Sequence, residues 1–406
     1  MAKKPNKDAL SGTYLSTAPA IFEDTTEEIE EKIKEVDVKI KDEYYRLTNI
    51  LKRAAHYYII FGLRSNGKSY AVLERALRRF WEEGAQLGYI RRQNEDLKGK
   101  RAGEVWANLV TNGLVKKVTK GRWNNIIYKS GKWYLCNIPD NTEEAQDEDI
   151  EVCNKPLAYA FTLSGMEHDK SSSYPGIKMV VYEEFITRKQ YLVDEFVTFC
   201  NVLSTIVRRR GDVEVFMIGN TVNQFCPYFR EMGLTNVKKM KPGDIDVYKY
   251  GESGLTVAVE YSDAPPKKAA SDVYFAFDNP KLNMITNGAW ELDIYPHLPE
   301  KYNIKDIVFN YFINFDNEML QADIIVKKDK TFTYIHRKST EIKKPKEDII
   351  YSLDYDPRPN HFRKIHNPQN KIQKKIWDYF KKDLVFYQDN EVGEIVRNYL
   401  LNAGKV

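Results

Sequence analysis

Residues 57–69 read YYIIFGLRSNGKS, a run of β-forming residues from Tyr57 to Phe61 that passes straight into a glycine-rich turn. The turn matches G-x-x-x-x-G-K-S at every fixed position. Gly62, Gly67, Lys68 and Ser69 are the fixed residues, and Leu63, Arg64, Ser65 and Asn66 lie between them. Tyr70, Leu73, Leu77, Phe80 and Trp81 then repeat at helical spacing, and Gly84 stands where a helix would stop. Strand, glycine turn and helix in that order are the context a phosphate-binding loop requires. Backbone N–H groups of the turn and of the helix N-terminus face the phosphates. Lys68 is placed to reach the β and γ oxygens, and the Ser69 hydroxyl to hold Mg²⁺.

The chain has 406 residues, which suggests two domains. Its 62 basic and 58 acidic residues leave a formal charge of +4, so any nucleic-acid contact must rest on local basic clusters. Cys136, Cys153, Cys200 and Cys226 are far apart and form no C-x-x-C, which predicts reduced, buried thiols. The six histidines show no metal-ligand spacing. No apolar run approaches the roughly 20 residues of a membrane span, and there is no signal peptide. A soluble cytoplasmic protein is the expectation.

Residues 1–24 are polar and aperiodic and read as a flexible arm. From Thr25 to about Arg53 a charged helix is expected, with Ile29, Ile33, Val36 and Ile40 as its apolar stripe. After the phosphate-loop helix, Leu87 to Ile90 is a second strand ending at Arg91 and Arg92. Gly103 to Leu114 reads as helix, Asn124 to Asn137 as a hairpin turning at Ser130-Gly131, and 140–151 as an acidic surface loop.

Lys178 to Tyr182, KMVVY, is a short apolar strand ending in Glu183-Glu184. Nucleotide hydrolases with this loop place an acid at the end of a neighbouring strand to hold Mg²⁺, and a following glutamate to polarise the attacking water. Glu183 and Glu184 take those two places, although the first acid is more often aspartate. Glu195 to Arg210 is helical in pattern and ends in three arginines, Arg208 to Arg210, a favourable solvated helix end. Val213 to Gly219 is the next buried strand. Asn220 at its tip is either a turn residue or a sensor of the γ-phosphate. Strands that end in polar residues and alternate with helices predict a three-layer α/β sandwich, with its site at the strand carboxyl ends.

From about Tyr261 the composition shifts, and Ser262 to Ser271, SDAPPKKAAS, reads as a linker. Ile307 to Asp316, Ala322 to Lys327 and Thr331 to His336 form an expected β-meander. Lys371 to Lys382 reads as a basic helix with Ile372, Ile376, Tyr379 and Phe380 inward, and Glu391 to Leu401 as a final helix. The acids here, Asp316, Glu318, Asp323, Asp329, Asp354, Asp356 and Asp378, show no spacing that gathers the carboxylates a two-metal nuclease needs. Lys327-Lys328, Arg337-Lys338, Lys343-Lys344, Arg363-Lys364, Lys374-Lys375 and Lys381-Lys382 instead suit phosphate backbones.

Arg64 within the loop, together with the following YIRRQNEDLKG, resembles the Walker A loop and second strand of viral DNA-packaging ATPases, the terminase large subunits. The order and spacing look closest to the packaging motor ATPases of phi-29-like phages, over about residues 55–222. The resemblance implies a P-loop NTPase sandwich of the additional-strand, catalytic-glutamate type. A smaller α+β domain resembling a degenerate RNase H-like nuclease would follow. The domains would be 1–24 (arm), 25–260 (motor), 261–280 (linker) and 281–406 (binding domain). Also implied are ATP and Mg²⁺ as nucleotide and metal, and a homo-oligomeric ring, a pentamer, docked on the portal of a procapsid in the infected host's cytoplasm. Double-stranded DNA would be its track, with a scaffold RNA as a further partner. By the same resemblance, Lys170 and one arginine of the Arg208 to Arg210 cluster (Arg208, Arg209 or Arg210) act on a neighbouring subunit's nucleotide, with Lys68 and Glu184 as the chain's own catalytic residues. Competing readings are another ring or helicase-type ATPase, a small-molecule kinase, and a nucleotide-gated binding module without turnover. The Glu183-Glu184 pair argues against the kinase.

Overall fold

Alternation along the strands decides which side chains meet. In the computed structural model, which describes residues 44–139, 150–168, 173–188, 191–192, 194–263, 290, 295–328 and 330–404, Tyr57–Gly62 is a strand, β1. It lies inside a ten-stranded sheet with β2 (Gln86–Arg91), β3 (Asn125–Lys129), β4 (Lys132–Asn137), β5 (Glu151–Val152), β6 (Ala158–Thr162), β7 (Ile177–Glu183), β8 (Glu214–Asn220), β9 (Ile245–Tyr250) and β10 (Leu255–Ser262). The order β6-β2-β7-β8-β1-β10 is parallel throughout. The antiparallel strands close its two edges, β9 beside β10 and the β3–β4 hairpin with β5 beside β6.

Even-numbered residues of β1, Tyr58 and Ile60, face one core together with Met179, Val181, Phe216 and Ile218. That core is covered by helix α1 (Lys68–Glu83) and by short helical turns between Lys100 and Val118. Ile59, Phe61, Val180, Tyr182, Val215 and Met217 face the opposite core, under α2 (Glu195–Val207) and α3 (Pro227–Glu231). This is the expected three-layer arrangement. Buried Val72, Leu73, Leu77 and Phe80 hold α1 to the sheet, at about 1.5–3 kcal/mol for each large side chain fully buried. Glu214 at the start of β8 also takes Arg75 at 2.9 Å and Arg79 at 3.0 Å.

A second sheet has the order β15-β14-β11-β12-β13-β16, from β11 (Ile307–Phe315), β12 (Glu318–Lys327), β13 (Lys330–Arg337), β14 (Ile350–Ser352), β15 (His361–Phe362) and β16 (Val385–Tyr387). The expected meander is its antiparallel centre, and β14, β15 and β16 add to it in parallel. Helices α4 (Lys371–Lys381) and α5 (Asn390–Ala403) complete its core.

Several expectations change. The Gly103 to Leu114 helix is broken into separate turns, Lys100–Gly103, Glu104–Trp106, Ala107–Thr111 and Leu114–Val118. Helix α2 stops at Val207, and Arg208 and Arg209 leave it with φ of 42° and 64°. Ile372 is half exposed, and Gln373 takes the inward place beside Ile376. Strand β10 runs through Tyr261 and Ser262, into the stretch read as linker. The expected arm, most of the Thr25 to Arg53 helix, most of the acidic loop, most of the linker, Asp329 and Lys170 lie outside the described residues. Among the described residues no helix is long and apolar enough to cross a membrane. All four cysteines are unpaired.

Candidate nucleotide-binding site

Parallel register brings the loop and both acids to one edge. Gly62, the last residue of β1, lies beside Asn220, the last residue of β8. Glu183, ending β7, pairs with Ile218 of β8, so one strand separates the acidic strand from the loop strand. Gly62 has φ of 148°, and a Cβ there would stand 2.3 Å from Ser262 Oγ. Only glycine lets β1 and β10 approach so closely at the mouth of the loop. Gly67 has φ of 92° and opens α1.

Within the loop, Asn66 and Lys68 are buried while Arg64 and Ser65 are exposed. Asn66 donates to Ser262 Oγ at 3.0 Å, and Ser262 donates to Phe61 O at 3.0 Å. Tyr45 N–H donates to Asn66 O at 2.8 Å, and the Tyr45 hydroxyl donates to Glu260. Glu260 is pushed up to about 6, chiefly by burial. The Lys68 ammonium donates to Leu63 O, to Asn66 Oδ1 at 3.0 Å and to Asn220 Oδ1 at 3.4 Å. All of these acceptors are neutral oxygens. Burial holds Lys68 down to about 7, with the Glu183 carboxylate opposing the shift. A polyphosphate laid against the loop would supply the negative charge this buried ammonium lacks. Ser69 follows in the first turn of α1.

The acids are gripped from β2. The Tyr89 hydroxyl donates to Glu183 Oε2, and Arg91 Nη1 lies 3.5 Å from the same oxygen. Arg91 Nη2 donates to Glu184 Oε2 at 2.7 Å. Glu184 has φ of 57°, a left-handed conformation that costs a non-glycine residue about 1–2 kcal/mol. Its side chain is 60% exposed, against 17% for Glu183, so Glu184 is the acid that meets solvent at this edge. For Mg²⁺ the donor set fits: Mg²⁺ keeps several waters and needs one or two protein oxygens besides phosphate, and the Ser69 hydroxyl and Glu183 carboxylate are of that kind.

Arg208 and Arg209 precede β8, so they lie at the opposite edge of the sheet. Seven residues of strand, roughly 20 Å, separate them from Asn220. Arg210 is committed elsewhere. Its guanidinium donates to the carbonyls of Ile177 at 2.8 Å, Pro175 at 3.0 Å and Ile206 at 2.9 Å, tying the start of β7 to the end of α2. Sequence reasoning missed Tyr89, Tyr45, Glu260 and Ser262. Arg91 and Arg92 were visible as a basic pair at a strand end, without their partners.

The family described as Podovirus DNA encapsidation protein (Gp16) matches residues 150–400. The DNA packaging protein of Bacillus phage B103 is 25% identical over 178 residues, 43% of this chain and 47% of that protein. The DNA packaging protein of Bacillus phage phi29 is 26% identical over 173 residues, 42% of this chain and 44% of that protein. The chain thus spans about half the length of the curated relatives it matches. A chain of the solved bacteriophage Phi-29 viral genome packaging motor assembly has a TM-score of 0.52 at 18% identity, over 89% of this chain and 99% of that one. The Phi-28 gp11 DNA packaging motor gives 0.50 at 17%, over 90% and 98%. At these identities the structural likeness speaks for a shared mixed α/β fold. The family match covers more than half of the residues, and the chain belongs to the Podovirus DNA encapsidation protein (Gp16) family.

Proposed function

We propose that this chain is an ATP-driven motor that moves double-stranded viral DNA through the portal into a preformed capsid, as one subunit of a homopentameric ring. Lys68 carries the reading. It is a buried ammonium on a G-x-x-x-x-G-K-S turn, bonded only to neutral oxygens, with two glutamates on the next strand but one. Family membership and the DNA packaging proteins among the relatives support the choice of DNA and capsid.

In this reading Lys68 and the loop backbone hold the β and γ phosphates, with Leu63, Arg64, Ser65 and Asn66 completing the turn around them. Ser69 and Glu183 would hold Mg²⁺, which when bound neutralises charge developing on the phosphate oxygens. Glu184 orients the attacking water and takes its proton. It must first part from Arg91, whose guanidinium occupies one of its oxygens. Asn220, within reach of the Lys68 ammonium, senses the γ-phosphate. The opposite-edge position of Arg208 and Arg209 suits cations that serve a neighbouring subunit's nucleotide, and Lys170 is proposed for the same role. Arg210, bonded to backbone carbonyls, is less suited to the trans role.

Residues 281–406 would bind nucleic acid without cutting it. A meander extended by parallel strands suits a degenerate RNase H-like sheet, and among the described residues no cluster of three His, Cys, Asp or Glu side chains could hold a metal ion. Lys374, Lys375 and Lys382 are exposed around α4, whereas Arg337 is spent on Asp389 and Glu391. DNA or a scaffold RNA is the proposed occupant, and the infected host's cytoplasm the setting.

The test is ATP hydrolysis by purified protein, alone, with DNA, and with portal-bearing capsids. Turnover is expected to rise with DNA and capsid together. Glu184→Gln is expected to keep ATP binding and lose turnover by at least about a hundredfold. Wild-type turnover in that variant would remove Glu184 from the base role, and indifference to capsids would favour another nucleic-acid ATPase.

A further inference from the structure

Arg91 and Arg92 are consecutive, so their side chains leave the strand end in opposite directions. Arg91 meets the carboxylate of Glu184, and Arg92 turns beneath the same residue. Its Nη1 donates to Glu184 O at 3.1 Å and its Nη2 to Phe185 O at 2.8 Å. These are the two carbonyls that follow the left-handed turn at Glu184, where φ is 57°. Phe185 is fully buried, so its carbonyl has no recourse to bulk water.

The charge of Arg92 is itself matched within the core. Its Nε donates to both oxygens of Glu195, at 3.0 and 2.9 Å, and Glu195 is 3% exposed. Glu195 also accepts from the Tyr182 hydroxyl at 2.9 Å, the Tyr228 hydroxyl at 3.0 Å and Leu192 N–H at 2.7 Å. Tyr191 closes the other side, with the guanidinium 5.1 Å from its ring centre. A buried Arg–Glu pair is weak evidence for stability, since apolar residues of like volume often do as well. What an apolar pair would not supply is two charged donors, one on the carbonyl of the proposed base and one on that of the next residue.

We propose that Arg92 is the positioning residue of the catalytic site: it fixes the Glu184 backbone in its left-handed conformation, and Glu195 supplies the counter-charge that lets an arginine do so from within the core. This rests on the assignment of Glu184 as the base. The arrangement sets where the carboxylate can swing, because a glutamate with a pinned Cα explores only its own rotamers. Loss of the two donors would let Glu184 relax to an ordinary backbone angle and carry the carboxylate away from the γ-phosphate.

The decisive variants are Arg92→Lys and the neutral pair Arg92→Met with Glu195→Gln. The pair removes both buried charges together and so leaves no uncompensated charge, and the fold is expected to stay cooperative with a melting temperature lowered by the two carbonyls left without donors. Nucleotide affinity is expected to stay within threefold, while kcat falls tenfold or more. Arg92→Lys keeps the charge beside Glu195 but cannot span both carbonyls, and should lower kcat at unchanged affinity. Hydrogen exchange over residues 183–188 gives a readout that does not need turnover. Protection there is expected to fall in Arg92→Lys while the rest of the sheet is unchanged. Wild-type protection over 183–188, or wild-type kcat in the neutral pair, would reduce Arg92 to a packing role. If the unmodified protein hydrolyses no ATP, the motor reading fails, and the exchange measurement still decides whether Arg92 holds this turn.

Discussion

At the scale of single residues, Lys68 makes the site sensitive to pH in two opposed ways. Its ammonium is held down to about 7 against an ordinary 10.5, chiefly by burial. Below pH 7 the folded and unfolded chains both carry this proton, and the cost of burying the charge is fully present. Between pH 7 and about 10.5 the unfolded chain holds a proton that the fold has released, so this group's contribution to stability grows as pH rises. Binding runs the other way. A polyphosphate favours the charged form, so above pH 7 it binds with uptake of a proton, and affinity weakens by at most about tenfold per pH unit. Calorimetric titration of ATP in buffers of different ionisation enthalpy should show uptake approaching one proton near about pH 8.5 and little near about pH 6. Lys68→Met should abolish that buffer dependence along with most of the affinity. Binding at pH 8.5 without proton uptake would mean that Lys68 stays charged in the free fold.

Among the elements, β1, the loop and α1 were legible because the signals are local: a five-residue β-forming run, two glycines and a helical repeat, all within 57–84. The pairs that complete the loop are not local. Asn66 meets Ser262 across 196 residues, and Tyr45 meets Glu260 across 215. Nothing in the composition of LTVAVEYS says that it lies parallel to β1. Strands as short as β14 and β16, three residues each, fall below any periodic signal. The break-up of 103–114 into turns has a similar cause, since its stops depend on packing beneath the β3–β4 hairpin, as where Trp133 Nε1 donates to Ala102 O at 2.7 Å. The contact between loop and β10 gives a prediction. Gly62→Ala places a methyl group 2.3 Å from Ser262 Oγ and 2.8 Å from Ser262 O, at a φ that disfavours any side chain. Overpacking of this kind costs about 1–3 kcal/mol, and urea unfolding should show a loss at the upper end of that range. Ser262→Ala should restore only part of it, because the backbone oxygen remains. Full rescue would mean that the hydroxyl alone sets the clash.

For the whole molecule, the question is how events at the edge of the first sheet reach the second. Two exits lead there. Arg188 lies four positions beyond Glu184, and its Nη2 donates to Glu394 Oε2 at 2.9 Å. Asn223 lies three positions beyond Asn220, and its amide donates to Asn398 Oδ1 at 2.9 Å. Glu394 and Asn398 are one turn apart on α5, joined by Asn398 Nδ2 to Glu394 Oε1 at 3.1 Å, and the Tyr295 hydroxyl donates to Glu394 at 2.8 Å. Glu394 is fully buried, and Phe225 packs against Phe315 in the same core as α5. The segments that follow Glu184 and Asn220 therefore meet one helix beside the second sheet. Arg188→Met would strand the buried Glu394 carboxylate with weaker partners, Arg397 among them at 3.6 Å. The expected loss is about 1.5–3 kcal/mol, the value of a hydrogen bond to a charged group. Glu394→Gln should cost less, and the double variant should cost less than the sum, which a double-mutant cycle on thermal or urea unfolding measures. In the proposed motor the same Arg188→Met variant should still hydrolyse ATP, since its guanidinium bonds to Glu394 on α5, but should move less DNA per ATP consumed. Additive losses across the cycle, with normal packaging per ATP, would show that α5 only props the two sheets together and that the stroke leaves the nucleotide edge by another route.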